Sequence, residues 1–236
     1  MLELNKVYNI DCKTGLKDIP DKYFDLAIVD PPYGLKEIAH RKAARTKLVP
    51  TTKYHTDLWD QEPPDAEYFK ELFRVSKNQI VFGANHFIES MPYNSPCWIV
   101  WDKVNGTGHF ADAELAWTSF KSATRIFQFM WAGMRQGSNG NGKKMEGNKK
   151  LNEKRIHPTQ KPVQLYRWVL KNYARPGFKI LDTHVGSGSS IIACEEAGLE
   201  YMGFEISKNY YKDYLKRMEE ERKNMQSMLF NVSLFE

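Results

Sequence analysis

The chain has 236 residues, 42% hydrophobic and 13% aromatic, ample for one packed domain of generous size. It has no apolar run of about 18 residues, so no membrane span is expected. The N-terminal "MLELNKVYNIDCK" lacks the basic-then-apolar pattern of a signal peptide, so a cytoplasmic protein is expected. The net charge of +5 is unevenly spread: residues 36–53 carry six basic groups against one acid, and residues 132–155 carry seven against two. The remainder is net acidic, and two concentrated basic segments are the footprint expected of a protein that meets a polyanion. Cys12, Cys97 and Cys194 are far apart and fit reduced, buried thiols, with no metal-ligand spacing and no metal expected.

In chain order, short apolar runs alternate with helical patterns, which predicts an α/β sheet. Strands are predicted at 6–10, 24–30, 79–83, 97–101, 114–120 and 125–130, and again at 178–182 and 201–205. Helices are predicted at 65–76, 162–174, 188–198 and 207–226. In the first, Tyr68, Phe69, Leu72, Phe73 and Val75 share a broad face. In the last, Ser207 reads as the N-cap, and Tyr210, Tyr211, Tyr214, Leu215 and Met218 form a stripe expected to pack in the core. Segment 132–150, with five glycines and little apolar content, is expected to be mobile or disordered without a partner. The expected organisation is a single domain over 1–236 carrying a basic loop at 36–53 and a basic insert at about 132–155.

Three stretches carry chemistry. In "IVDPPYGL" (28–35) an apolar strand ends at Asp30, where ligands of open α/β sheets gather. Pro31 and Pro32 fix φ twice and remove two donors, so nearby oxygens accept hydrogen bonds only from outside. A carboxylate beside a free carbonyl suits an NH2 group, and Tyr33 offers a flat face for a base. An ordinary strand-ending turn accounts for the aspartate and the prolines but not for all four residues together. In "HPTQKP" (157–162), Pro162 suits the first position of a helix. His157, Thr159, Gln160 and Lys161 are then presented from a fixed loop. In "KILDTHVGSGSSIIACEEAG" (179–198) a strand ends at Asp182, a glycine turn follows and a helix begins near Ser189. This brings backbone N–H groups and a helix N-terminus to a ligand. Glu205 ends the next strand, 19 positions after Gly186, about where an acid meets a ribose diol. No lysine follows Gly188 and residue 191 is Ile, so neither a Walker loop nor a complete dinucleotide fingerprint is present. What remains is a site for an adenosine-bearing cofactor whose tail is not a pyrophosphate.

Together these stretches resemble the S-adenosylmethionine-dependent amino-methyltransferases of DNA, the N-4/N-6 DNA methylases. "DPPY" looks like their catalytic motif, "LDTHVGSGS" like their cofactor glycine motif, and "HPTQKP" like the segment usually preceding it. The catalytic motif comes first and the cofactor motif late, the circularly permuted order of the beta class. "GANHF" (83–87), "WIVWDK" (98–103) and "ADAELAW" (111–117) extend the resemblance over most of the chain, leaving out mainly the two basic segments. One departure is Thr183-His184, where the commoner form has Pro-Phe, which bears on packing around the cofactor.

The resemblance implies a Rossmann-like methyltransferase fold, a mostly parallel twisted sheet with helices on both faces. It implies a methyl transfer from S-adenosylmethionine to the N6 of adenine in double-stranded DNA, with Asp30, Pro31, Pro32 and Tyr33 catalytic. The implied cofactor-binding residues are Asp11, Cys12, Asp30, His157, Thr159, Gln160, Lys161, Asp182, His184, Gly186, Ser187, Gly188 and Glu205. Asp11 would sit beside the cofactor's adenine, although a simple turn after a strand also accounts for it. Lys161 and its loop would take the methionine end, and Glu205 the ribose. The base must leave the duplex, at a cost of a few kcal/mol, of which stacking on Tyr33 would return about 1–3 kcal/mol. Arg41, Lys42, Arg45 and Lys47 of the first basic segment, with Arg135, Lys143, Lys144, Lys149 and Lys150 of the second, are expected to contact DNA. A glycine- and lysine-rich segment suits phosphates more than base edges, so short or relaxed sequence specificity is expected. Members of this class often dimerise, which makes a homodimer a partner to test. The alternatives are N4-cytosine methylation, which uses the same geometry, methylation of RNA or of a protein amide, and a non-catalytic DNA-binding protein of the same fold. Aspartate at position 30 leans toward adenine. Cys97, although preceded by Pro96 as in enzymes that methylate a ring carbon, opens a strand expected to be buried and is rejected as a nucleophile.

Overall fold

The computed structural model describes residues 2–34, 62–105, 111–132, 135–137 and 152–233. The basic segment 36–53 therefore lies outside the described residues, as do Lys143, Lys144, Lys149 and Lys150 of the second one.

Eight strands form one sheet: β1 (Lys6–Tyr8), β2 (Phe24–Val29), β3 (Ser76–Phe82), β4 (Trp98–Asp102), β5 (Ala113–Thr118), β6 (Arg125–Gln128), β9 (Lys179–Asp182) and β10 (Glu200–Phe204). Their order is β1-β10-β9-β2-β3-β5-β4-β6. All neighbours run parallel except β5, which is antiparallel to both β3 and β4. The central strands are near-continuous apolar runs, "FDLAIV" in β2 and "KILD" in β9, as expected where helices cover both faces. This is the mostly parallel α/β sheet that the sequence predicts.

One apolar cluster packs the face carrying α3 (Val163–Tyr173), α4 (Ser189–Glu196) and α5 (Lys208–Ser233), with Leu165, Val169, Ile191, Tyr214 and Met218 among its residues. A second cluster packs the opposite face, where α1 (Cys12–Leu16) and α2 (Ala66–Val75) contribute Leu16, Tyr68, Phe69, Leu72 and Val75. Helix starts follow local chemistry. Asp65 accepts the Tyr68 N–H at 3.0 Å at the head of α2, and the Ser207 hydroxyl accepts the Tyr210 N–H at 3.2 Å at the head of α5. Pro162 is the cap residue of α3, just outside the helix.

Four sequence expectations are corrected. The first strand ends at Tyr8, and Asp11 caps a short helix α1 by accepting the Lys13 and Thr14 N–H groups at 2.7 and 3.3 Å. The strand expected at 125–130 ends at Gln128. Met130–Ala132 instead forms β7 of a separate hairpin with β8 (Arg135–Gly137), so part of the segment expected to be disordered is a strand. At the far end of the basic insert, Glu153 and Arg155 are folded in. Glu153 pairs with buried Arg217 of α5 at 2.6 Å, and the Arg155 guanidinium lies 4.3 Å from the Trp131 ring centroid. In the α5 stripe, Tyr210, Tyr214 and Met218 are buried as expected, but Leu215 is exposed. Among the described residues no helix is long and apolar enough to cross a membrane.

Candidate active site

Sequential connections leave β2 toward β3 and leave β9 toward β10, so the chain diverges between the adjacent strands β2 and β9. At such a divergence the loops beyond the strands' carboxyl ends part and leave a crevice. A cavity of about 350 Å³ lies there, within the range usual for small-molecule sites. Its walls come from the Asp11–Lys13 helix start, the Asp30-Pro32 corner, Glu62–Asp65, the "HPTQK" loop, the glycine turn and the strand end at Glu205.

At the corner, Asp30 sits one residue past β2. The Tyr33 hydroxyl donates to its Oδ1 at 2.8 Å, and the Lys161 ammonium donates to its Oδ2 at 2.6 Å. Lys161 is 4% exposed and also donates to the Tyr33 hydroxyl at 3.1 Å. Its Nζ lies 3.1 Å from Glu114 Oε2, and Glu114 is paired in turn with Lys103. Burial pushes the Asp30 carboxyl up; the Lys161 charge opposes this and the Glu114 charge adds to it. Two neighbouring acids hold Lys161 charged against its burial.

The other end of the cavity is built on the glycine turn. Gly186 has φ +52, and a Cβ there would meet nothing nearer than 3.9 Å, so its backbone stands open to the cavity. Glu205 Oε2 accepts the Gly186 N–H and Oε1 accepts the Ser207 N–H, both at 2.8 Å. The turn is held from behind by Arg217, which donates to the Ser187 carbonyl at 3.0 Å and pairs with Glu153. Glu153 also accepts from Gln160 at 2.8 Å and from the Val163 N–H at 2.9 Å. One acid thus locks the "HPTQKP" loop, α3 and the glycine turn together. The His157 ring packs 4.1 Å from the Tyr210 ring, and its Nδ1 lies 3.1 Å from the Thr159 hydroxyl.

Most of the expected site residues meet at this cavity: Asp11, Cys12, Asp30, Pro32, His157, Thr159, Gln160, Lys161, His184, Gly186, Ser187 and Glu205 all line it. Several placements differ from the expectation. Asp182 is not among the lining residues; it is buried, accepts the His184 N–H at 2.9 Å and the Ser190 hydroxyl, and so ties the turn to α4. Gly188 also stands off the cavity. Its φ of +81 starts α4, and a Cβ there would come within 2.4 Å of the Tyr214 ring, so packing and backbone conformation require the glycine. Lys161 donates to Asp30 and Tyr33 and is ion-paired with Glu114, instead of reaching a cofactor tail. Tyr33 stacks on His86, with ring centroids 4.9 Å apart at 19°, so one face is already covered. Cys12 is a half-buried cavity residue, with its thiol pushed up to about 12 by burial, whereas Cys97 and Cys194 are buried as expected. Arg135 lies on β8.

Sequence reasoning missed Glu114, Tyr166, Tyr68, Tyr210 and the Pro63-Pro64-Asp65 wall. The Glu114 signal was present, an acid inside the apolar strand "AELAWT". The Thr183-His184 departure builds a polar chain. The Tyr68 and Thr183 hydroxyls are 2.7 Å apart, and Thr183 Oγ1 is 2.9 Å from His184 Nδ1. Burial lowers His184 to about 4, so its imidazole is neutral near pH 7. Among the described residues no group of three His, Cys, Asp or Glu side chains is placed to hold a metal ion.

The sequence pattern of a DNA methylase family, N6_N4_Mtase, matches residues 119–216. The chain is 27% identical over 258 aligned positions to the type II methyltransferase M.HinfI of Haemophilus influenzae, covering 94% of this chain and 70% of that protein. Its fold is similar to that of M1.HpyAVI in a SAM complex, with a TM-score of 0.52 and 21% identity over 90% of this chain and 98% of that one. The cytosine-N4-specific PvuII DNA methyltransferase is similar too, at a TM-score of 0.53 and 14% identity over 91% of this chain and 86% of that one.

Proposed function

We propose that this chain, which resembles the N6/N4 DNA methylases over residues 119–216 and a type II methyltransferase at 27% identity, is a DNA methyltransferase using S-adenosylmethionine, and that it methylates the exocyclic N6 of adenine in double-stranded DNA. The observation that carries this reading is the Asp30 corner, a half-buried carboxylate held by Tyr33 and Lys161 at the mouth of a cavity whose far end presents Glu205, Gly186 and Asp11. Aspartate rather than serine at position 30 supports adenine.

The cavity fits a nucleoside bearing a cation. It has carboxylates at both ends, an open backbone at Gly186 and the aromatic walls Tyr68, Tyr210 and His157. Asp11, Glu205, Gly186, Ser187 and the His157–Gln160 loop would hold the cofactor, which when bound supplies a methyl group already activated on a sulfonium. Asp30 accepts a hydrogen bond from the amine, with the Pro31 carbonyl as second acceptor, which draws the nitrogen lone pair out of conjugation with the ring. As the amine nitrogen becomes positive, the fixed Asp30 carboxylate stabilises that charge in a desolvated corner. Its raised proton affinity then suits it to take the proton that the methylated nitrogen must lose. A base stacking on Tyr33 from the His86 side must displace that imidazole. The basic segments supply phosphate contacts, and target specificity is short or relaxed.

Transfer of tritiated methyl groups to unmethylated plasmid, followed by digestion to nucleosides and mass analysis, tests the reading. It predicts N6-methyladenine, abolished by Asp30→Ala. Recovery of N4-methylcytosine overturns the adenine assignment, and transfer that survives Asp30→Ala overturns the corner as the catalytic site.

A further inference from the structure

The only antiparallel strand of the eight-stranded sheet places an acid behind the Asp30 corner. Because β5 runs against its neighbours, its beginning lies at the rim where β3 and β4 end, with Glu114 paired in register with Trp101. Glu114 does not line the cavity. It lies between two lysines: one carboxylate oxygen pairs with Lys103, just past β4, and Oε2 is 3.1 Å from Lys161. Four charges therefore alternate along one line, Asp30, Lys161, Glu114 and Lys103, and sum to zero.

We propose that Glu114 is a positioning residue for Asp30: by taking part of the Lys161 ammonium, it keeps that cation shared between two carboxylates and leaves Asp30 free to bind the substrate amine. This rests on the reading of Asp30 as the amine's acceptor. The ammonium donates to Asp30 at 2.6 Å and to the Tyr33 hydroxyl at 3.1 Å, and it stands 3.1 Å from Glu114 Oε2 as an ion pair, that oxygen having no hydrogen-bond donor among the described residues. With Glu114 neutral, Lys161 would bear on Asp30 alone and hold its oxygen more tightly. With Lys103 removed, Glu114 would lean harder on Lys161 and release Asp30. The two acids already divide this way. Burial raises both, but Lys161 and Lys103 together bring Glu114 down to about 2, whereas Asp30 stays above its ordinary value. The groups facing Asp30 are Tyr33 beside it, Lys161 before α3, Glu114 on β5, Tyr166 on α3, Tyr68 on α2 and Asp182 on β9.

The test is a carbon-13 NMR titration of the Asp30 carboxyl in the ligand-free protein, paired with the pH profile of kcat on plasmid DNA. In Glu114→Gln, Asp30 titrates at lower pH than in the wild type, the acid limb of kcat moves the same way, kcat falls about tenfold and both KM values hold. In Lys103→Met, Asp30 moves to higher pH. Glu114→Asp keeps the charge and stays near the wild-type titration, whatever it does to Tm; if Glu114→Gln does not fold, these two variants decide. Shifts of the same sign in Glu114→Gln and Lys103→Met, or no shift in either, overturn the proposal, as does a kcat loss that follows Tm alone. Should the wild type transfer no methyl group, the methyltransferase reading fails, while the NMR titration still decides the role of Glu114.

Discussion

The adjacent parallel strands β2 and β9 each lead into an aspartate, Asp30 half-buried one residue past β2 and Asp182 buried at the end of β9, yet the two have opposite neighbours. Asp30 receives an ammonium and a phenol, both from side chains that line or border the cavity. Asp182 receives a backbone N–H and a serine hydroxyl from its own turn and is 3% exposed. With no cation beside it, burial raises Asp182 to about 7. The same signature, an apolar strand leading into aspartate, thus builds a charged corner at the cavity in one place and a fastener in the other. What separates them is whether a partner from far along the chain brings charge.

The largest test of that contrast is activity. Asp30→Asn should cut kcat by roughly a thousandfold with the fold retained, whereas Asp182→Asn should leave kcat within about tenfold of wild type; comparable losses would erase the distinction. Next in size is stability. Lys161→Met removes the cation between Asp30 and Glu114, and leaving half-buried Asp30 without it, while Glu114 keeps Lys103, should cost about 1–3 kcal/mol in denaturant unfolding. A loss below about 1 kcal/mol would mean that the ammonium is not the keystone of the corner.

The smallest effect is in pH dependence and sharpens the Asp182 side. The folded-state value of Asp182, about 7, lies above its ordinary 3.8, so its contribution to stability falls as pH rises from about 4 to about 7. His184 is lowered from 6.5 to about 4, so its contribution falls as pH drops through that range. The two opposing slopes overlap between about pH 4 and 6.5 and largely cancel. His184→Phe should expose the first slope, with Tm declining as pH rises, and Asp182→Asn the second, with Tm rising. Melting curves across that range check it, and parallel profiles in the two variants would contradict it.

Much of the architecture was legible because it follows from local patterning. Apolar runs marked every strand of the large sheet, and amphipathic spacing marked α2, α3 and α5. The short helix α1 escaped notice because five residues carry too little periodicity, and only the geometry of Asp11 reveals its cap. The β7–β8 hairpin escaped because a glycine- and lysine-rich segment has no strand signature until Met130–Ala132 supplies an edge to pair with.

For the site, chain order and residue type determined which stretches converge, since a strand's last residue must emerge at the sheet's carboxyl rim. Asp30, Glu205 and the glycine turn were placed by that rule alone. The division of labour between Gly186, open to the cavity, and Gly188, pressed against Tyr214, could not be read from their spacing. Nor could the charge line through Lys161, whose link to Asp30 spans 131 positions. Periodicity is set by neighbours a few bonds away, and the sequence determines it. Which ammonium meets which carboxylate depends on how three separate elements pack at one rim, and only the folded chain decides it.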